Sequence, residues 1–155
     1  MRPSFQLEPL QARHAPACEA IGHALPAWFG IEEGLRDLRA EAEKGSGWVA
    51  IASGDVVAFL TLRQHFTESW EITWMAVAPA WRRHGLGRQL IEAAVAQCRE
   101  AGARFLQVKT LADLHPSPEY AETRAFYQSV GFVPLEVFPE LWGLANPCLL
   151  MVRAL

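Results

Sequence analysis

Apolar and polar positions change their spacing several times along the chain, and each change predicts an element. Phe5 and Leu7 alternate with polar neighbours as in a short first strand, and two helical stretches follow, around Ala15 to His23 and from about Ile31 to Lys44, with Pro26 between them. The apolar runs Trp48 to Ala52 and Val56 to Leu62 flank Ser53-Gly54-Asp55, a turn sequence that predicts a hairpin. A third strand is expected from about Ser69 to Ala78. Beyond Pro79 the period becomes helical: Leu86, Leu90, Ile91, Ala94, Val95 and Cys98 share one face until Gly102 stops the helix. Phe105, Gln107 and Lys109 then alternate with Leu106 and Val108 in a further strand. A Pro-rich loop leads to a short helix, Ala121 to Val130, ended by Gly131, and the last strands are Phe132 to Val137 and Cys148 to Val152. This order predicts an α/β fold with a mixed central sheet, flanking helices and parallel pairing around the central strand-helix-strand unit.

At 155 residues, half of them apolar, the chain is expected to form one domain over 1–155 with a core that needs no staples. The formal charge of -3 gives no general attraction to polyphosphate, so neither nucleic acid nor an anionic membrane surface is an expected partner, and any anion site must be local. Cys18, Cys98 and Cys148 are odd in number and lack CxxC spacing, which argues against a disulfide framework or a zinc site and for a reducing compartment. His14, His23, His65, His84 and His115 show no ligand spacing, so no metal is expected. The N-terminus has no apolar core region and no later run approaches the roughly 18 residues of a membrane span, so a cytoplasmic location is expected.

The candidate chemistry begins at Arg82-Arg83-His84-Gly85-Leu86-Gly87-Arg88, between the third strand and the clearest helix. A helix start presents unpaired N–H groups and the positive end of the macrodipole, two glycines let an anion approach the main chain, and three arginines add charge. Walker A is excluded because Gly-Lys-Ser/Thr is absent, and the dinucleotide fingerprint fails where Leu90 replaces its third small residue. Coenzyme A remains the best-fitting diphosphate, against the alternative of an ordinary basic loop capping a helix.

With this loop the sequence resembles the GNAT acetyltransferases, whose pyrophosphate loop reads Arg/Gln-x-x-Gly-x-Gly/Ala. Arg82, Gly85 and Gly87 match it, Glu71 to Val77 is similar to the family's fourth strand, and Phe126-Tyr127 followed by Gly131-Phe132 is similar to its C-terminal motif. The resemblance implies the GNAT fold, acetyl-coenzyme A as co-substrate, an amine acceptor and a possible homodimer. It implies cofactor contacts from Ala76, Val77, Arg82, Arg83, His84, Gly85, Leu86, Gly87 and Arg88, with the Val77 N–H polarising the thioester carbonyl. It assigns Glu71, eleven positions before Arg82, as the base and Tyr127 as the acid that meets the departing thiolate. The chain departs from the family where Asn and Ala commonly stand seven and four residues before the tyrosine, for these positions hold Tyr120 and Thr123.

Each assignment has a plainer counterpart. Glu71 would otherwise face solvent or pair with an arginine, and Tyr127 would pack beside Phe126. Trp70 and Trp74, opposite Glu71 and Thr73 on the strand, are expected in the core rather than in an acceptor pocket, while Trp28 and Phe29 fall where the family often builds the acceptor wall. Phe138, Leu141 and Trp142 suit either core or interface. The competing functions are a module that binds acyl-coenzyme A without transfer, an enzyme acting on peptides or tRNA, and a dimerisation domain.

Overall fold

The protein is represented by a computed structural model that describes residues 4–29, 32–114 and 116–155; Ile31 and His115 lie outside the described residues. Among these, the elements run β1 (Gln6–Pro9), α1 (Ala15–His23), α2 (Glu32–Glu43), β2 (Gly47–Ala52), β3 (Asp55–Gln64), β4 (Ser69–Val77), α3 (Leu86–Glu100), β5 (Phe105–Leu111), α4 (Pro118–Ser129), β6 (Val133–Phe138) and β7 (Cys148–Ala154). Two 3-10 turns, Ala12–His14 and Pro79–Trp81, carry no periodic signal in the sequence. The strands bond in the order β1-β2-β3-β4-β5-β7-β6, with β4 and β5 parallel across the α3 crossover and antiparallel pairs towards the ends, the mixed α/β sheet that the pattern predicts.

Most boundaries agree with the sequence reading to within a few residues, and the departures have local causes. The hairpin turn is the two residues Ser53 and Gly54, both at positive φ (51° and 84°), while Asp55 is already paired with Ala52. Two left-handed residues suit the right-handed twist of the flanking strands. Helix α4 starts three residues before the expected Ala121: Ser117 is its N-cap, the Tyr120 N–H donates to the Ser117 hydroxyl at 3.3 Å, and Pro118 fills the first position, where no donor is needed.

The described residues divide into two compact units, one within Met1–Arg63 and Thr73–Ala96, the other within Gln64–Ile72 and Gln97–Leu155. In the first, Leu10, Cys18, Ile21, Leu38, Val49, Phe59 and Ala76 form a buried cluster, with Trp28, Phe29 and Trp74 packed against it half-buried. Two glycines permit this packing. A methyl on Gly22 would meet the Leu35 side chain at 2.6 Å between α1 and α2, and one on Gly47, at φ 144°, would run into the Leu60 carbonyl of β3. In the second unit Leu106 and Val108 of β5, Met151 of β7 and Phe132 are buried. Strand β6 closes the strand order and is exposed from Val133 to Val137. Leu141 and Trp142 beyond it are 56 % and 43 % exposed, so neither is a core residue. Among the described residues no helix is long and apolar enough to cross a membrane.

Candidate active site

The glycine loop lies in the first unit. A tight 3-10 turn ends β4, held by the Trp81 N–H donating to the Ala78 carbonyl at 2.8 Å, while the Ala78 N–H donates to Val57 of β3. From there two residues take left-handed conformations, Arg83 (φ 66°) and Gly85 (φ 80°). Glycine adopts such a φ freely and arginine does so at a cost, so the backbone at Arg83 is held against its preference. Among the described residues, no atom beyond its own chain neighbours lies within 4 Å of where a Gly85 Cβ would stand. The Gly85 carbonyl accepts the Gln89 N–H at 3.1 Å, so helical bonding starts there and the N–H groups of residues 86–88 precede any i−4 acceptor.

Side chains anchor this loop from both sides. Leu86 is buried, which leaves only its main chain for a ligand, whereas Arg83, His84 and Arg88 are exposed. The Arg82 guanidinium lies over the Trp28 ring, 4.9 Å from its centre, and His84 meets Trp81 edge-on at 5.7 Å. Arg82 is therefore engaged with an aromatic face rather than pointing freely from the loop. Ala76 is buried and Val77 half-buried at the end of β4; Phe29 packs on Trp74 at 6.0 Å. The parallel ladder to β5 runs from Ser69–Phe105 to Ile72–Val108, and β4 continues five residues past it.

Glu71 and Tyr127 belong to the second unit. Alternation along β4 turns Glu71 away from Ile72, and register sets it beside Gln107 of β5. The Glu71 side chain is buried, and among the described residues no arginine pairs with it. Its Oε1 takes three contacts: His65 Nε2 at 2.7 Å, Gln107 Nε2 at 3.2 Å and Lys109 Nζ at 3.4 Å. Among the described residues no partner engages Oε2. Three positions that the sequence reading did not assign thus meet the expected base. Gln107 and Lys109 had a signal, polar residues at alternate positions of an inner strand; His65 had none, because only the turn after β3 brings it back to β4.

Tyr127 is set by the end of its helix. The Phe132 N–H donates to the Tyr127 carbonyl at 3.0 Å and the Gly131 N–H (φ 97°) to the Gln128 carbonyl at 3.1 Å. These are the two bonds of a Schellman cap, whose usual apolar contact is here the Phe132 ring edge-on to Tyr127 at 5.6 Å. Phe126 also packs on Tyr127, with ring centres 5.6 Å apart. Burial, with Tyr120 nearby, pushes the phenol well above the ordinary tyrosine range.

A second buried carboxylate, Glu41 of α2, lies in the first unit and was not foreseen. Arg63 and Lys44 donate to its Oε2 at 2.7 and 3.1 Å, and Thr73 to its Oε1 at 3.4 Å. Burial alone would raise its pKa, but the hydrogen bonds from Arg63 and Lys44 outweigh this and hold it below the usual carboxylate range. Among the described residues no three of His, Cys, Asp or Glu group as metal ligands.

Residues 43–134 match a family model described as an acetyltransferase (GNAT) domain. Comparison with curated proteins finds no match. Among solved structures, the fold is similar to Ard1 from Thermoplasma volcanium (TM-score 0.79, 21 % identity, 97 % of each chain covered). It is similar also to the ribosomal-protein-S18-alanine N-acetyltransferase from Escherichia coli (0.77, 19 %, covering 97 % of this chain and 94 % of that one). A third is an aminoglycoside 6'-N-acetyltransferase complexed with coenzyme A (0.71, 15 %, 97 % and 96 %).

Proposed function

This chain belongs to the GNAT acetyltransferase family, and on that footing we propose that it moves the acetyl group of acetyl-coenzyme A directly to a primary amine on a small molecule or peptide. The observation that carries the reading is the Glu71 carboxylate, buried, with Oε1 filled by three partners and Oε2 left to meet an acceptor. An alkylammonium has a pKa of roughly 10, so the amine must lose a proton before or as it attacks, and a fixed carboxylate acting through water suits that task.

The loop residues fit the co-substrate. Gly85 leaves open space beside the main chain, the first N–H groups of α3 suit a diphosphate, and the exposed Arg83 and Arg88 supply charge that the acidic chain otherwise lacks. The Val77 N–H is assigned to the thioester carbonyl. Tyr127 meets the departing sulfur. A phenol whose pKa is raised by burial keeps its proton, and passing it fully to a thiolate of pKa roughly 8.5 is uphill, so it acts by donating a hydrogen bond as the C–S bond breaks. Three free, buried thiols suit a reducing compartment, and the enzyme is assigned to the cytoplasm.

The amine-acetylating structural neighbours, among them a coenzyme A complex, favour this class of acceptor. The test is incubation of the purified protein with isotopically labelled acetyl-coenzyme A and a cell extract, followed by mass detection of labelled products. Label should appear on primary amines above a protein-free control. Saturable coenzyme A binding with no transferred label would leave a binding module in place of an enzyme.

A further inference from the structure

We propose that the acceptor is an α-amino acid, its amine set on Glu71 and its carboxylate on Lys109, a substrate class that rests on the reading of Glu71 as the base. A carboxylate only accepts, so the contacts on Oε1 are all donated to it, by His65, Gln107 and Lys109. Among these donors Lys109 brings a full positive charge, and at 3.4 Å it cancels the single negative charge of Glu71. The expected base is therefore one half of an ion pair rather than a lone anion.

That pairing selects among amines. An acceptor whose only charge is its ammonium is attracted by Glu71 and repelled by Lys109, so little remains to offset the water it gives up, and a polycation is repelled more strongly. An α-amino acid carries both charges on one carbon, a spacing that suits an anion and a cation in direct contact. Laid antiparallel to the Glu71–Lys109 pair, each of its charges gains an opposite neighbour. Lys109 has donors to spare. Its ammonium carries three N–H groups, Glu71 is its one hydrogen-bond partner among the described residues, and its side chain is 29 % exposed against 8 % for Glu71.

Strand register puts the two charges on one face. Gln107 of β5 stands opposite Glu71, and Lys109, two residues further along, shares the side of the sheet that Gln107 occupies. An amine on the unengaged Oε2 is thus one carboxylate's width from the Lys109 ammonium, which sits on Oε1. During transfer the amine nitrogen loses a proton and bonds to the acetyl carbon as the C–S bond breaks. The product amide is neutral at nitrogen, so it keeps its hold on Lys109 and loses its ion pair with Glu71, and it is bound less tightly than the substrate.

The experiment measures kcat/KM for label transfer from acetyl-coenzyme A to the common α-amino acids, to their primary amides and to a polyamine, in wild type and in Lys109→Met, with the labelled cell extract alongside. An amide lacks the carboxylate's charge and has the less basic amine of the two, so slower transfer to it does not come from protonation. In wild type the acids that are acetylated should exceed their own amides by about tenfold, with the polyamine poorer still. Lys109→Met keeps the apolar stem and removes the charge, and should bring acid and amide level by slowing the first and quickening the second. Wild-type transfer to amides or the polyamine that equals transfer to the acids overturns the proposal, as does a preference for acids that survives in Lys109→Met. Should that variant fail to fold, the wild-type ratio decides alone. Label on other amines of the extract and on no amino acid overturns the substrate class and leaves the acetyl transfer standing. Label on no amine at all removes the acetyl-transfer reading, and the substrate class with it.

Discussion

Tyr127 combines two roles that one substitution separates. Its ring is the apolar contact of the cap that ends α4, and its hydroxyl is the proposed donor to sulfur. Tyr127→Phe keeps the ring's contacts with Phe126 and Phe132, so the thermal midpoint and coenzyme A affinity should hold while turnover falls ~10- to 10³-fold. The defect should narrow with acetyl donors whose thiols are more acidic, since these need less help in leaving. Full activity in a kinetic comparison would make Tyr127 a packing residue. At this scale the sequence was readable where chemistry and backbone geometry coincide: the spacing from Tyr127 to Gly131-Phe132 is that of a helix cap as well as of a family motif. It was unreadable at Glu71's surroundings, because the contacts with His65 and Lys109 depend on a turn and a strand register, not on local pattern.

Among the elements, the loop before α3 makes the sharpest demand on its residues. Gly85 is required by its left-handed φ even though the space beside it is open, so Gly85→Ala strains the backbone with or without a ligand. Coenzyme A affinity should fall about tenfold in a titration, with little change in affinity for a truncated pantetheine thioester; equal loss of both would take the loop out of diphosphate binding. Gly47 is a contrasting case, where a methyl group meets backbone. Gly47→Ala should lower unfolding free energy by about 3 kcal/mol, the upper range for overpacking, and an unchanged denaturation midpoint would show that β2 can shift away from Leu60. Strands and helices were legible because their periods are set by side-chain burial. The 3-10 turns were not, being too short to display a period, although Ser117-Pro118-Glu119 was a usable start signal for α4.

For the whole molecule, the buried titratable groups define a window of pH stability. His14 is buried, its Nδ1 accepting the Gln11 N–H at 3.0 Å, and burial followed by the Arg13 charge lowers its pKa from 6.5. A lowered folded pKa means the unfolded chain binds the proton first, so stability falls as pH drops below about 6.5. Glu41 adds to this below its ordinary 4.5, since its ion pairs are lost on protonation. On the alkaline side burial raises Cys18 to about 12 and Cys98 to about 11, and also raises Cys148 and Tyr127. Here the unfolded chain loses protons first, so stability falls as pH climbs above about 9, by up to roughly 1.4 kcal/mol per pH unit for each thiol. Calorimetry should show a plateau in the thermal midpoint between these limits and a decline on both sides; a midpoint flat to pH 10.5 would contradict the burial of the thiols.

The shielding of Cys18, Cys98 and Cys148 also decides how the protein behaves towards thiol reagents. A chromogenic disulfide added to the native chain should find no reactive sulfur of its own, so its colour reports only coenzyme A set free by turnover, without a protein background. As the chain opens in denaturant, three equivalents per molecule should become reactive, and the pace at which they do is a clock for unfolding that needs neither substrate nor label.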